Sequence, residues 1–183
     1  PRNTGPFIPL NCAAIPKELI SSELMGYEDG AFTGAKRGGQ AGKFELANGG
    51  TIFLDEIAEM PMDMQCSLLR ILEDRVVCRI GGSKYHPVNV RIVAATNRDL
   101  WKCVQRGTFR LDLYFRLNVI RIELPPLRDR TGDIDILVPY LLERAARKNR
   151  VPMAAISGEV MELFRRYYWP GNVRELKNVV EKC

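Results

Sequence analysis

The apolar positions of this chain follow two regimes, which change over near Pro126. Before that point, short continuous apolar runs alternate with stretches whose apolar residues recur at helical spacing. The runs Thr51-Ile52-Phe53-Leu54 and Arg91-Ile92-Val93-Ala94-Ala95 lack the in-out alternation of a half-exposed strand. They predict strands buried on both faces, as in a parallel sheet. Residues 7–12 predict another strand, but Pro9 has no N–H for a ladder, so this one belongs at an edge. A further strand is expected over 119–124, halted by Pro125-Pro126.

Helical spacing predicts the elements between these strands. Residues 15–24 place Leu19, Ile20 and Leu24 on one face, with Pro16 in the first turn. Residues 62–75, begun by Pro61, turn Leu68, Leu69, Ile71 and Leu72 toward the sheet. Two short helices are expected over 99–106 and 111–117. Gly81-Gly82-Ser83 between two strand-like flanks is the mark of a β-hairpin. Residues 26–42 break all periodicity with Gly26, Gly30, Gly34, Gly38, Gly39 and Gly42, which predicts a mobile loop, and 43–47 lead on to the central strand.

Past Pro126 the pattern is helical throughout. Asp133 is a good N-cap for a helix carrying Ile134, Leu137, Val138, Leu141, Leu142 and Ala145 inward. Pro139 falls inside it, so the helix either kinks there or begins there. Ser157 opens a second helix, with Val160, Leu163, Phe164 and Tyr167 inward. Asn172 and Glu175 resemble a capping box for a third, with Val173, Leu176, Val179 and Val180 inward. The expected organisation is an α/β layer over 1–126 followed by a helical subdomain over 127–183.

Composition narrows the chemistry. Five cysteines (Cys12, Cys66, Cys78, Cys103 and Cys183) lack CxxC spacing, which favours reduced thiols in a cytoplasmic protein over disulfides or zinc. His86 is the one histidine, so histidine-based metal or triad chemistry finds no partners, and in its Gly/Pro-rich turn it is expected to be solvated. No apolar run approaches a membrane span. A net charge of +5 and a pI near 9.1 are compatible with nucleic-acid contact, but the basic residues are spread along the chain.

The candidate chemistry sits where the central strand ends. An apolar run that meets Asp55-Glu56 must bring both carboxylates out at the C-terminal edge of the sheet, where ligands bind in open α/β folds. One carboxylate can hold a hydrated Mg²⁺ on a nucleotide, and its neighbour can polarise an attacking water. Taken alone, the same residues also fit a strand that ends in a solvated turn. The run 91–95 ends similarly at Thr96-Asn97, which alone is an ordinary turn pair. Beside two carboxylates they could position a water against a phosphate. Arg110 and Arg116 lie six apart, on different faces of a helix. One reading presents an arginine to a neighbouring subunit, and the other pairs Arg116 with Asp112 at i, i+4.

Gly30-Ala31-Phe32-Thr33-Gly34-Ala35 reads GAFTGA, preceded by Ser22-Glu23-Leu24-Met25-Gly26-Tyr27-Glu28. LNCAAIP, FRLDLYFRL, LPPLRDR and WPGNVREL follow in the same order as in one family. With these motifs the chain resembles the central AAA+ domain of bacterial enhancer-binding proteins, the ATP-driven, NtrC-like activators of sigma-54 RNA polymerase. The resemblance implies an AAA+ parallel sheet with a helical lid, and ATP with Mg²⁺ as ligands. Asp55 would be the residue for Mg²⁺, and Glu56 the activator of water. Asn11 would restrain Glu56, while Thr96 and Asn97 would sense the γ-phosphate. Arg110 and Arg116 would reach the next subunit of a homo-oligomeric ring, hexamer or heptamer, and Arg174 would act from the lid. Gly30, Ala31, Phe32, Thr33, Gly34 and Ala35 would form the loop that grips the sigma factor. The hairpin of residues 79–86 would be a second pore-facing insertion moving with it. DNA would be bound by a domain outside this chain. An aromatic held out between glycines gives up about 2 kcal/mol of apolar burial, which agrees with a contact residue.

One element of the family pattern is absent from the sequence: the P-loop GxxxxGK[ST], with its phosphate-binding cradle and lysine. The expectation is therefore a fragment, interrupted at both ends, whose sheet lacks an inner strand and which binds nucleotide poorly by itself. Met25 and Tyr27 also differ from the usual family residues. Two other functions fit parts of the pattern: a non-hydrolysing sigma-factor interaction module, and a generic nucleic-acid-binding domain.

Overall fold

Residues Thr51–Asp55 pair on both sides, and the first compact unit is built outward from them. The computed structural model describes residues 4–153 and 155–182. It divides into one unit up to Arg121 and a second from Ile122.

In the first unit, β1 (Phe7–Asn11), α1 (Lys17–Met25), β2 (Gly26–Tyr27), β3 (Gln40–Ala41), α2 (Lys43–Leu46) and β4 (Thr51–Asp55) follow in order. A 3₁₀ turn over Ile57–Glu59 leads to α3 (Met62–Asp74), then β5 (Val76–Cys78), β6 (Tyr85–Pro87), β7 (Arg91–Ala94), α4 (Leu100–Gln105) and α5 (Leu111–Leu117). The main sheet is parallel, in the order β1-β4-β7. Leu10 stands opposite Leu54, and Leu54 opposite Ala94. Pro9 lies on the edge strand, as its missing N–H requires. Leu10, Ile20, Leu24, Phe44, Ile52, Leu54, Ile57 and Leu68 are buried together, so the helices close over the alternate positions of β4 that face them.

Several expected elements differ. Residues 26–42 are not wholly irregular: β2 and β3 clamp their two ends as an antiparallel pair, Gly26 opposite Ala41 and Tyr27 opposite Gln40. The lead into the central strand is helical, because Phe44 turns into the core from α2. β7 is not buried on both faces, since it is the far edge of the sheet and Val93 and Ala94 are exposed. Residues 119–124 form no strand, and Val119, Ile120, Ile122 and Leu124 are 78–82% exposed. An apolar β-branched run specifies a strand only when a neighbouring ladder receives it.

The second unit holds α6 (Ile134–Asn149), α7 (Gly158–Arg166) and α8 (Asn172–Val180). Its core is Leu127, Ile134, Val138, Leu141, Leu142, Trp169, Leu176 and Val180. α6 begins at Ile134 and runs through Pro139. Ser157 caps α7 as expected, accepting from Val160 N–H at 3.4 Å. The apolar face of α7 is only partly used: Met161 and Phe164 pack on the core, while Leu163 and Tyr167 are exposed. Trp169 takes the central place, donating from Nε1 to the Phe164 carbonyl at 2.7 Å. Asn172 and Glu175 do not cap each other. Glu175 Oε2 accepts from Gly171 N–H at 2.9 Å, and Asn172 Oδ1 accepts from Leu127 N–H at 2.8 Å.

Candidate functional site

The ends of β4 and β7 converge. Ala95 N–H donates to the Leu54 carbonyl at 2.9 Å, and Ile57 N–H donates to the Ala95 carbonyl at 3.0 Å. The chain turns sharply between these two bonds, and Glu56 takes the left-handed conformation, with φ 53° and ψ 46°. A left-handed non-glycine residue costs about 1–3 kcal/mol and persists where its surroundings enforce it. Here the Asp55 carboxylate contributes, with Oδ1 accepting from Glu56 N–H at 3.0 Å. The turn aims the Glu56 side chain back along the rim, where Asn97 Nδ2 donates to its Oε1 at 3.4 Å. Thr96 Oγ1 accepts from Arg98 N–H at 3.1 Å, and Arg98 pairs with Glu59 at 2.5 Å. Asp55, Glu56, Thr96 and Asn97 thus share one partly exposed rim.

Asn11 stands opposite Asp55 in the strand register. Its Oδ1 accepts from Ala13 and Ala14 N–H, at 2.9 and 3.2 Å, and among the described residues no hydrogen bond runs from it to Glu56. Beside it, Cys12 is buried, and burial first, then the Asp55 charge, pushes its thiol up to about 11. This thiol stays protonated and inert at neutral pH.

The donor set bears on the ion the rim can hold. Among the described residues no three His, Cys, Asp or Glu side chains converge, so no all-protein metal cage exists there. A single half-buried carboxylate fits Mg²⁺, which keeps waters and takes phosphate oxygens as its other ligands.

Of the two arginines, Arg110 occupies the N-cap of α5. Its guanidinium grips Asp112 through Nε–Oδ1 at 3.0 Å and Nη2–Oδ2 at 2.6 Å, and Nη1 meets Cys66 Sγ at 3.1 Å. Asp112 therefore pairs with Arg110 and not with Arg116. The hydrogen bond from Arg110, helped by the Leu113 N–H and the Arg110 charge, holds the Asp112 carboxyl below its ordinary range against an opposing contribution from burial. Arg116 donates to the Leu72 carbonyl at 3.2 Å. Arg174 is exposed on α8, in the second unit.

The glycine-flanked loop is rooted on the hairpin. Ile80 N–H donates to the Gly26 carbonyl and Glu28 N–H to the Ile80 carbonyl, each at 3.0 Å. Gly30, Phe32, Thr33 and Gly34 are exposed, with Ala31 and Ala35 half-buried. Phe32 is 42% exposed and rests edge-on against Tyr27 at 5.0 Å. Beneath the root, Arg79 makes a bidentate pair with Glu45 at 2.8 and 2.9 Å and reaches Glu28 at 3.5 Å. His86 Nδ1 lies 3.5 Å from Glu45, and its Nε2 is buried without a partner. His86 is therefore not a solvated turn residue. The strand pairing of β6 sets it opposite Val77, within reach of Glu45.

Sequence reasoning missed this Glu45–Arg79–His86 group and the buried Gln65, because neither has a periodicity signal. Most of the contacts that define them come from 34 or more residues away.

Comparison with known proteins identifies the family of the chain. A family model described as "Sigma-54 interaction domain" matches residues 1–123, and one described as "AAA+ ATPase lid domain" matches residues 128–183. The chain is 57% identical to the "Signal-transduction and transcriptional-control protein" of Clostridium beijerinckii, over 98% of this chain and 28% of that protein. It is 54% identical to the "DNA-binding transcriptional regulator NtrC" of Proteus hauseri, over 98% of this chain and 38% of the relative. The chain thus spans between a quarter and two fifths of these relatives. A crystal structure of NtrX from Brucella abortus superposes with a TM-score of 0.90 at 38% identity, covering 99% of this chain and 40% of NtrX. NtrX has also been solved in complex with ADP and with ATP.

Proposed function

This chain belongs to the sigma-54 interaction domain family, with its AAA+ lid, and from that premise we propose that it is the ATP-driven motor of a sigma-54-dependent transcriptional activator. The observation that best supports this is the Asn97–Glu56 contact. A carboxylate in an enforced left-handed turn, steadied by an amide from the neighbouring strand, is suited to orient a water at a phosphate.

In this reading Asp55 is the protein's ligand for Mg²⁺, which when bound offsets charge on the phosphates. Glu56 accepts a hydrogen bond from the attacking water and polarises it. Asn97 fixes the Glu56 oxygen that does so, and Thr96 lies next to it on the rim. Asn11 restrains Glu56 only by leaving the turn it now caps. Arg110 and Arg116 serve the nucleotide of the next subunit in a homo-oligomeric ring, and Arg174 acts from the lid. The α/β unit ends, and the lid begins, near Pro126.

The output is mechanical. The loop of Gly30, Ala31, Phe32, Thr33, Gly34 and Ala35 presents Phe32 and Thr33 to the sigma factor of the polymerase holoenzyme. Because its root is hydrogen-bonded to Ile80, the loop and hairpin move as one body. A sigma-factor partner implies a cytoplasmic site of action. Among the described residues no helix is long and apolar enough to cross a membrane. The test is Thr33→Ala in the intact protein, assayed for ATP turnover and for open-complex formation at a sigma-54 promoter. Turnover persisting while open complexes vanish supports the reading. Open complexes at wild-type yield would remove the loop from the grip.

A further inference from the structure

A buried glutamine joins the two halves of the candidate site. Gln65, in the first turn of α3, is the one polar side chain among the described residues that is fully buried, at 0% exposure. Its amide is satisfied by three backbone groups. Nε2 donates to the Met60 carbonyl at 2.8 Å and to the Thr108 carbonyl at 3.1 Å, and Oε1 accepts from Arg110 N–H at 2.8 Å. None of the three belongs to α3. Met60 closes the 3₁₀ turn that follows Glu56, while Thr108 and Arg110 belong to the segment that enters α5. An N-cap N–H has no partner within its own helix, so the Arg110 amide depends on this side chain.

The next residue of α3 completes the hold. Cys66 meets the Arg110 guanidinium, so adjacent α3 residues grip Arg110 by main chain and side chain. A core that needed only filling would place an apolar residue at this depth, since a buried amide gains stability only when all its bonds are made.

We propose that Gln65 is a positioning residue for Arg110, setting the arginine's place relative to the turn that carries Glu56. This rests on the reading that Arg110 serves a neighbouring subunit's nucleotide. The turn holding the water-activating carboxylate of one subunit is thereby tied to the arginine that the same subunit offers to the next.

The test uses the intact protein. Gln65→Met keeps the volume and loses all three bonds, whereas Gln65→Glu keeps an acceptor for Arg110 N–H and loses both donors. Steady-state ATP turnover is measured for each, for Arg110→Ala, and for Gln65→Met combined with Arg110→Ala. Gln65→Met is expected to lower kcat by about 10–100-fold with KM little changed, as a misplaced group does. The double variant is expected to be no worse than Arg110→Ala. Gln65→Met subunits mixed with Glu56→Gln subunits are expected to regain turnover above the sum of the two alone. The recovery comes from interfaces that combine intact carboxylates from one subunit with a well-placed arginine from the other. Additive losses in the double variant, or no recovery on mixing, would overturn the proposal. So would failure of both Gln65 variants to fold, which would make Gln65 a folding residue. Full activity of Arg110→Ala is a different result, since it removes Arg110 from the trans role itself.

Discussion

Asn97 Nδ2 lies 3.4 Å from Glu56 Oε1, and this contact joins the ends of two neighbouring parallel strands across the rim of the sheet. Glu56 arrives there because the chain is left-handed at that residue, and Asn97 because β7 runs in register with β4. Removing the amide frees the carboxylate without touching the sheet. Asn97→Ala in the intact protein is expected to lower ATP turnover by about 10²-fold, comparable to losing one fixed donor in an active site. ATP affinity, followed by equilibrium titration, is expected to change far less.

Asn97→Asp tests the electrostatics of the same contact. It replaces the amide N–H that Glu56 accepts with a second carboxylate, which repels the first. ATP turnover is expected to fall at least as far as in Asn97→Ala. Turnover at the wild-type rate would show that the Asn97 amide does not hold Glu56.

The Arg79–Glu45 pair anchors the hairpin to α2 beneath the loop. Its hydrogen bond with Arg79, then the Arg79 charge, holds the Glu45 carboxyl below its ordinary value, against an opposing contribution from burial. A depressed folded-state pKa means stability that is complete above the ordinary carboxylate range. That stability is lost as pH falls through the depressed folded value, because the unfolded chain takes up the proton first. Arg79→Met is expected to cost about 1–3 kcal/mol in denaturant unfolding at pH 7, mostly by leaving Glu45 without its partner. The difference from wild type is expected to shrink on acidification.

Loop and hairpin meet at Gly81, where an added Cβ would lie 2.9 Å from Ala31 Cβ at a φ of +75°. Gly38, at φ +85°, has open space around it. Both glycines carry the left-handed backbone that disfavours alanine by about 1–3 kcal/mol, but only Gly81→Ala also presses on Ala31. Open-complex formation is expected to fall sharply in Gly81→Ala and little in Gly38→Ala, with ATP turnover nearly unchanged in both. Equal loss in the two variants would assign the effect to backbone strain alone.

Trp169 fills the second unit's core at 2% exposure and donates to the Phe164 carbonyl. Trp169→Ala is expected to destabilise that unit by about 3–5 kcal/mol, the range for deleting a buried aromatic. Trp169→Phe is expected to cost less, mainly the hydrogen bond, at about 1 kcal/mol. Denaturant unfolding followed by circular dichroism separates the two.

Much of this architecture could be read in the residue pattern, for identifiable reasons. The central strand was legible because Ile52 to Leu54 is apolar without a break and ends in two carboxylates, which must surface. Pro9 marked its strand as an edge because a missing N–H is a local property. Residues 119–124 misled because a strand needs a neighbour, and sequence pattern says nothing of where that neighbour is. Leu163 and Tyr167 misled similarly, since a helical stripe shows what can be buried and not what covers it. Gln65 and His86 were illegible for the opposite reason. Their roles come from contacts to Thr108, Arg110 and Glu45, 41 to 45 residues away. The Arg110–Asp112 pair needed the helix start, because a residue at the N-cap reaches partners that i, i+4 spacing does not describe.

In the proposed function the Asp55-Glu56 rim hydrolyses ATP and so drives the Phe32-Thr33 loop. One experiment on Glu56→Gln in the intact protein, measuring bound ATP and released phosphate in the same sample, decides whether it does. Substitution of the carboxylate by an amide keeps shape and hydrogen-bonding capacity but removes the charge that polarises water. ATP is expected to be bound at near wild-type occupancy, with phosphate release reduced to background. Phosphate release at the wild-type rate would remove Glu56 from the hydrolytic step.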